Sequence, residues 1–518
     1  MTTQTEIERK YDVDENAVLP DLTGVAGVAR VESAGEVDLE AEYFDTERGD
    51  LAAHRIVLRR RRGGADEGWH IKLPAEEGRT ELHWPLDDED TPPLELVDRV
   101  RSRVRGRELV VIARLRTRRV LSRLVSEGGD GLVEIADDTV SATDATSGVL
   151  RLWREWETEL LEGAPGTESE RTALLDLVGD ALLAAGATPS ASRSKLATAL
   201  GRTDLAAADS RNADSKSTDE SSAAPKTAAL DRSSPAVAVL LVPLSALVDD
   251  LARIDPLVRA DAPDAVHQLR TRIRRIRSLF ATYATVFDRE TTDPLRARLQ
   301  AVGTSLGEAR DAEVMRDRAH TLLDGFEPRF PMVEERLRGG WSDAYAAAHE
   351  RAVSELSGEA WLSLLDDLDV FVARPALASA ALHPADEVVP PALDADLRRV
   401  LKRAASARRA GTDHEAIERL HEVRKAAKRL RYAAEAVSQG GSAAFGKRTR
   451  RLAAAAEAVH DLLGEHRDSM LMQQHLRQTA GSGAHAFDYG VLHEVERHGA
   501  ALCLADYPAA LAGLKRLR

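Results

Sequence analysis

Six short runs in roughly the first 200 residues carry an ionisable side chain at every second position. They are Glu6, Glu8 and Lys10 in EIERK; Arg59 and Arg61 in LRRRR; His70 and Lys72 in WHIKL; Arg79 and Glu81 in RTEL; Arg116 and Arg118 in RLRTRR; and Glu155, Glu157 and Glu159 in EWETEL. In a strand, a period of two puts each set on one face. Breaks such as RGGADEG and SEGGDG separate several of the runs as hairpin loops do, so the spacing predicts an antiparallel sheet or barrel. A solvated outer face gives the same alternation in any single strand. Six such strands together point to a barrel with a charged interior.

Such an interior suits a metal-bound oligophosphate. Phosphate oxygens call for several Arg and Lys side chains, Arg where planar bidentate contacts matter. A hard divalent cation takes carboxylate oxygens, phosphate oxygens and water. No Walker-type GxxxxGK[ST] loop and no Ser/His/Asp nucleophile set offers another chemistry.

EIERK resembles the ExExK element of the CYTH superfamily, the triphosphate tunnel metalloenzymes. The resemblance continues in order through AEYFDTERGDLAAHRIVLRRRR, WHIKLP, GRTE, EWETELLEG and SRSK at 192–195. It implies an eight-stranded antiparallel β tunnel barrel that binds a triphosphate with Mg2+ or Mn2+. Glu6, Glu8 and Lys10 are then the candidate catalytic residues. Glu6 and Glu8, with Glu155, Glu157 and Glu159, would ligate metal. Lys10, Arg59, Arg61, Lys72, Arg79, Arg116, Arg118 and Lys195 would cradle phosphate. LVEIADDTVSA also resembles a family strand, in which parity groups Glu134 with Asp138 against Asp137 and leaves open which of the first two faces the tunnel.

Residues 203–234 are rich in Ser, Ala and Asp and nearly free of large apolar side chains, so burial cannot offset their ordering entropy. The segment reads as a flexible linker between a domain at 1–202 and one at 235–518. Two domains suit a chain of 518 residues. The single cysteine, Cys503, excludes an internal disulfide, and no apolar stretch is long enough for a membrane span. These features predict a cytoplasmic protein with no membrane partner. A net charge of -15 disfavours general nucleic-acid binding.

Beyond residue 234 the texture changes to Ala, Leu, Arg and Glu at helical spacing. HQLRTRIRRIR at 267–277 aligns without gaps to HEVRKAAKRLR at 421–431, and LGEARD at 306–311 aligns to LGEHRD at 463–468, so the half is duplicated. His267, Arg270, Arg274 and Arg277 share one helix face, as do His421, Arg424, Lys428 and Arg431. Acids are absent from the first block, and only Glu422 stands in the second. Like charges four apart destabilise a helix, so the duplication favours a bound anion over a bare surface. A core role for the histidines stays open, and their spacing gives no reason to invoke a metal.

This half resembles the CHAD family, the conserved-histidine α-helical domains. The resemblance implies a pair of four-helix units around a pseudo-twofold axis, with a basic groove for inorganic polyphosphate. His267, Arg270, Arg274, Arg277, His421, Arg424, Lys425, Lys428 and Arg431 are then the binding candidates. Thr271 stands where the second block has Lys425, so the halves need not bind equally. Arg310, Arg467, Asp311 and Asp468 either line the groove or pair internally. Together the resemblances imply an inorganic triphosphatase acting on tripolyphosphate, joined to a module for long-chain polyphosphate. The alternative is a non-catalytic polyphosphate-binding protein associated with polyphosphate granules. Adenylate cyclases, thiamine triphosphatases and RNA triphosphatases also occur among CYTH relatives. Both domain types pair in some proteins, so a homodimer is left open.

Overall fold

The structure is a computed structural model describing residues 2–5, 8–74, 79–86, 91–164, 166–190, 192, 194–202, 230–325, 330–438, 445–480 and 485–518. Most of the linker prediction, 203–229, lies outside these residues, as does Glu6. The chain divides into two compact units, Met1–Ser222 and Ala223–Arg518.

The first unit is built on one antiparallel sheet. Its strands are β1 (Thr2–Thr5), β2 (Glu8–Val13), β3 (Val28–Asp45), β4 (Val57–Arg62), β5 (Gly68–Pro74), β6 (Arg79–Trp84), β7 (Val110–Ser126), β8 (Gly131–Asp144), β9 (Leu150–Leu160) and β10 (Thr188–Pro189). Their order is β1-β6-β5-β4-β3-β7-β8-β9-β2-β10. The described strands thus number ten rather than eight, and no ladder among them closes the sheet. The long strands β3, β7 and β8 form the middle. The turn between β7 and β8 places Gly129 at φ +91°, a left-handed geometry that a side chain would strain.

Helices α1 (Asp50–Ala53), α2 (Leu94–Val104), α3 (Glu168–Ala184) and α4 (Lys195–Ala199) belong to this unit. Helix α2 buries Leu96, Val100 and Val104 with Leu58, Trp69 and Ile71 of the sheet. Helix α3 starts with a capping box between Thr167 and Glu170 and buries Leu174, Leu175, Val178 and Leu182 with Trp156. The Ser194 hydroxyl caps α4 by accepting from Ala197 N at 3.2 Å. Leu196, Ala199 and Leu200 then seat that helix on Tyr43, Ala113, Leu115, Val140 and Ala142.

The second unit is helical, apart from two isolated bridges in its connections. It contains α5 (Ala236–Arg259), α6 (Ala265–Thr282), α7 (Arg289–Asp324), α8 (Pro331–Ser357), α9 (Glu359–Ala373), α10 (Ala385–Ala407), α11 (Asp413–Ser438), α12 (Lys447–Ala480) and α13 (Ala486–Lys515). The expected four-plus-four arrangement has a ninth described helix, because Gly358 turns extended (φ -75°, ψ 153°) and separates α9 from α8. Residues 230–234 join this unit: Leu230 packs on its core and Arg232 lies over the Phe445 ring. The starts of α5 and α10 bond reciprocally, Ala236 N to His383 O and Ala385 N to Ser234 O, each at 2.9 Å. Helices α6 and α11 pack together through the apolar stripes flanking their basic faces, including Leu269, Ile273, Ile276, Val423, Ala427 and Leu430.

Candidate functional site

One face of the sheet lines a cavity of about 140 Å³. Strand alternation puts Glu8 and Lys10 (β2), Arg59 and Arg61 (β4), Lys72 (β5), Arg119 (β7) and Glu157 and Glu159 (β9) on its wall, and α4 adds Lys195. Asp138, Glu155 and Glu157 form a buried trio in which one carboxylate oxygen of each lies within 4.8 Å of the others. Register explains the grouping, because Asp138 stands opposite Glu155 across β8 and β9.

The Lys195 ammonium sits among these acids, at 2.9 Å from Asp138 and 2.6 Å from both Glu155 and Glu157. Arg119 contacts Asp138 at 2.6 Å and Glu157 at 2.7 Å, and Lys10 also bonds Glu157. Burial alone would raise the Glu157 carboxyl, but Lys10, Lys195 and Arg119 hold it well below the usual range. Burial opposes charge on Lys195 too, and the three acids override it, raising that ammonium.

Behind the wall residues Arg59 and Lys72, buried Glu81 ties them together with His70, at 3.1 Å from Arg59, 3.0 Å from Lys72 and 2.8 Å from His70. Burial and the neighbouring Arg59 and Arg119 push the Arg61 guanidinium down to about 10, and the Asp66 carboxylate contacts it at the cavity wall. The cavity can therefore offer cations to phosphate beside acids suited to a metal. The acidic trio is a donor set that a hard divalent cation accepts, and the seated Lys195 ammonium marks it as a cation position.

Glu8, Lys10, Arg59, Arg61, Lys72, Glu157, Glu159 and Lys195 thus meet at one cavity, with Glu155 buried behind them. Arg79 lies in β6, and its side chain is outside the described set, like Glu6. Arg116 and Arg118 require correction. Their side chains are 81% and 64% exposed on the outer face, paired with Glu40 and Glu36 of β3. The inward phase of β7 is the opposite one: Leu115, Thr117 and Arg119 face inward, whereas Arg114, Arg116 and Arg118 face an acidic row of β3. Arg119, Glu81 and Asp138 were the residues missed or left open. Arg119's phase with Leu115 and Leu121 was the available signal.

In the helical unit, the duplicated faces converge. A groove of about 710 Å³ is lined by Arg270, Arg274, Arg277, His421, Arg424, Lys425 and Lys428, together with Arg296, Arg429 and Arg467. A cavity of about 260 Å³ shares Arg270, Arg274, Arg424, Lys428 and Arg467 and adds His267, Arg310, His460 and Asp468. Burial, followed by the fields of Arg274, Arg424 and Arg270, pushes Lys428 down to about 6. Burial, reinforced by Arg310, pushes His267 down to about 4. The Nε atoms of Arg270 and Arg424 are buried without a hydrogen-bond partner. Gly307 and Gly464 of the repeated LGxxRD elements make room for these guanidinia, since an added Cβ would lie 3.1 Å from Arg270 and 3.4 Å from Arg424. Arg431 departs from the expected set. It lines neither cavity and is held by Glu435 at 2.7 Å and Glu457 at 2.6 Å.

A strand-lined cavity of facing cations and acids, followed by a duplicated basic helical module, is the architecture of a CYTH domain joined to a CHAD domain. Residues 4–165 match the CYTH domain family and residues 244–477 the CHAD domain family. Enzymes of the CYTH family hydrolyse triphosphates. The chain belongs to the same family as two uncharacterized proteins of Mycobacterium tuberculosis, MT2285 and Rv2226. Each is 38% identical over 532 residues, covering 99% of this chain and 96% of the relative. Among solved structures, the CHAD domain from the plant Ricinus communis is 23% identical, with a TM-score of 0.44 over 57% of this chain and 96% of that chain. No helix among the described residues is long and apolar enough to cross a membrane.

Proposed function

We propose that the first unit is a divalent-metal-dependent inorganic triphosphatase acting on tripolyphosphate, and that the second binds long-chain inorganic polyphosphate. The observation that carries the first part is the meeting, in one cavity, of Arg59, Arg61, Lys72, Lys10 and Lys195 with the Asp138, Glu155 and Glu157 trio. Those three acids, with Glu6, Glu8 and Glu159, would hold Mg2+ or Mn2+. When bound, the ion supplies charge neutralisation at phosphate oxygens and acidifies a coordinated water.

The chain's own residues then provide position. Arg59, Arg61 and Lys72 bind the phosphate chain, and Arg119 keeps Asp138 and Glu157 ionised and oriented. Lys10 and Lys195 exchange carboxylate partners for phosphate oxygens. This is catalysis by placed charge rather than by a covalent intermediate. The segment joining the units would tether a polyphosphate store beside the hydrolytic site and raise its effective concentration.

The test is phosphate release from tripolyphosphate, ATP and long-chain polyphosphate with Mg2+ or Mn2+, for wild type and a folded Glu6→Gln/Glu8→Gln variant. Turnover of tripolyphosphate lost in the variant supports the enzyme. Equal release by both proteins from every substrate overturns it.

A further inference from the structure

The duplicated groove is not equal at its two ends. Alignment of the halves places Gln300 and Thr304 of α7 where α12 has Glu457 and Asp461, and Arg277 where α11 has Arg431. The structure turns those replacements into opposite environments. Arg277 donates to neutral Gln300 at 2.9 Å, and burial with nearby Arg296 lowers its proton affinity. Arg431, its counterpart, contacts Glu457 at 2.6 Å and Asp461 at 3.7 Å, and its proton affinity is raised by Glu435 and Glu457 against the effect of burial. The lumen follows the same division, about 710 Å³ on the Arg277 side and about 260 Å³ on the other, where Asp461 lines the wall and Arg431 and Glu457 stand outside it.

Resting on the reading that this unit binds polyphosphate, we infer that a phosphate chain enters the groove through the Arg277 end alone, and that Glu457 and Asp461 close the opposite end to polyanions. The Arg277 end offers a guanidinium whose Nε is buried without a hydrogen-bond partner, beside neutral Gln300, and the acids lining that side, Glu308 and Asp311, contact Arg351 and Arg270 rather than Arg277. The opposite end offers an Arg already neutralised and two carboxylates, 42% and 59% exposed, that would repel an incoming chain. Both ends share the inner cations Arg270, Arg274, Arg424 and Lys428; Lys425, Arg429 and Arg296 add to the Arg277 end, and His267 and Arg310 to the other.

The test uses the full-length protein in EDTA, which suppresses turnover, titrated calorimetrically with long-chain polyphosphate at fixed salt. Glu457→Gln/Asp461→Thr copies the two α7 residues into α12, removes two charges and leaves Arg431 paired with Glu435 alone. With the two repelling charges gone and Glu435 as the remaining acid on Arg431, it is expected to tighten binding by about tenfold and to steepen the salt dependence. The reciprocal Gln300→Glu/Thr304→Asp variant is expected to weaken binding by at least as much. These positions are on helix surfaces, and melting curves report folding of each variant. Unchanged affinity in both folded variants, or weaker binding by the first, overturns the one-ended groove while leaving polyphosphate binding intact. Absence of binding by wild type instead overturns the reading on which it rests.

Discussion

Replacing Lys428 by Met should stabilise the protein while weakening its hold on polyphosphate. Lys428 lies among Arg270, Arg274 and Arg424, with its ammonium over the Tyr432 ring, 5.8 Å from the centroid. Its fall from the ordinary 10.5 to about 6, at about 1.4 kcal/mol per tenfold change in proton affinity, sets an upper bound of ~6 kcal/mol on the cost of charging it there. Side-chain relaxation and water entry take back part of this, leaving an expected gain of about 2–3 kcal/mol for the variant. Below pH 6 the lysine is protonated in both folded and unfolded chains, so the whole cost is present. As pH rises from 6 to 10.5, the folded protein releases a proton that the unfolded chain keeps, and the cost shrinks to nothing. The variant's advantage should therefore be largest near pH 5.5 and nearly gone by pH 10. Urea unfolding of wild type and Lys428→Met at both pH values, with binding titrations alongside, measures this. A gain independent of pH, or a variant less stable at pH 5.5, would refute the reasoning.

Three further outcomes are expected. Arg119→Ala leaves buried Asp138 and Glu157 short of a partner and should cost about 3–5 kcal/mol in denaturant unfolding; Arg116→Ala and Arg118→Ala, on the outer face, should leave the unfolding midpoint and the triphosphate KM unchanged. Gly307→Ala adds up to about 1 kcal/mol of helix propensity but crowds Arg270, so melting should hold or rise while polyphosphate affinity falls. Thr167→Ala removes the α3 cap and should cost about 1 kcal/mol without altering triphosphate affinity.

The charged runs were legible as strands because period two survives without knowledge of their neighbours, and the duplicated HxxR blocks were legible as helices by the same logic at period 3.6. Inside and outside were harder to tell apart. Arg116 and Arg118 form part of an unbroken charged row, which is what a solvent face looks like when an adjacent strand supplies Glu36, Glu40 and Glu42. Arg119 shares its phase with leucines, and only the β7–β8 register brings it to Asp138. Arg431 was read by analogy with Arg277. Part of the difference was readable, since Glu435 stands four residues on where the first half has Ala281; the rest lies on another helix, in Glu457 and Asp461, and sequence spacing carries no information about which side chain that helix presents.

The seat of Lys195 bears on where this polypeptide can be cut. The CYTH match ends at residue 165, yet the ammonium in the Asp138, Glu155 and Glu157 trio arrives thirty positions later on α4. A fragment trimmed at the match would retain three inward-facing acids and lose the lysine among them, together with the α3 residues packed against Trp156. Its failure to fold or turn over substrate would then report the position of the scissors rather than the chemistry of the cavity. Excision after residue 202 keeps α3, α4 and Lys195 with the sheet they serve.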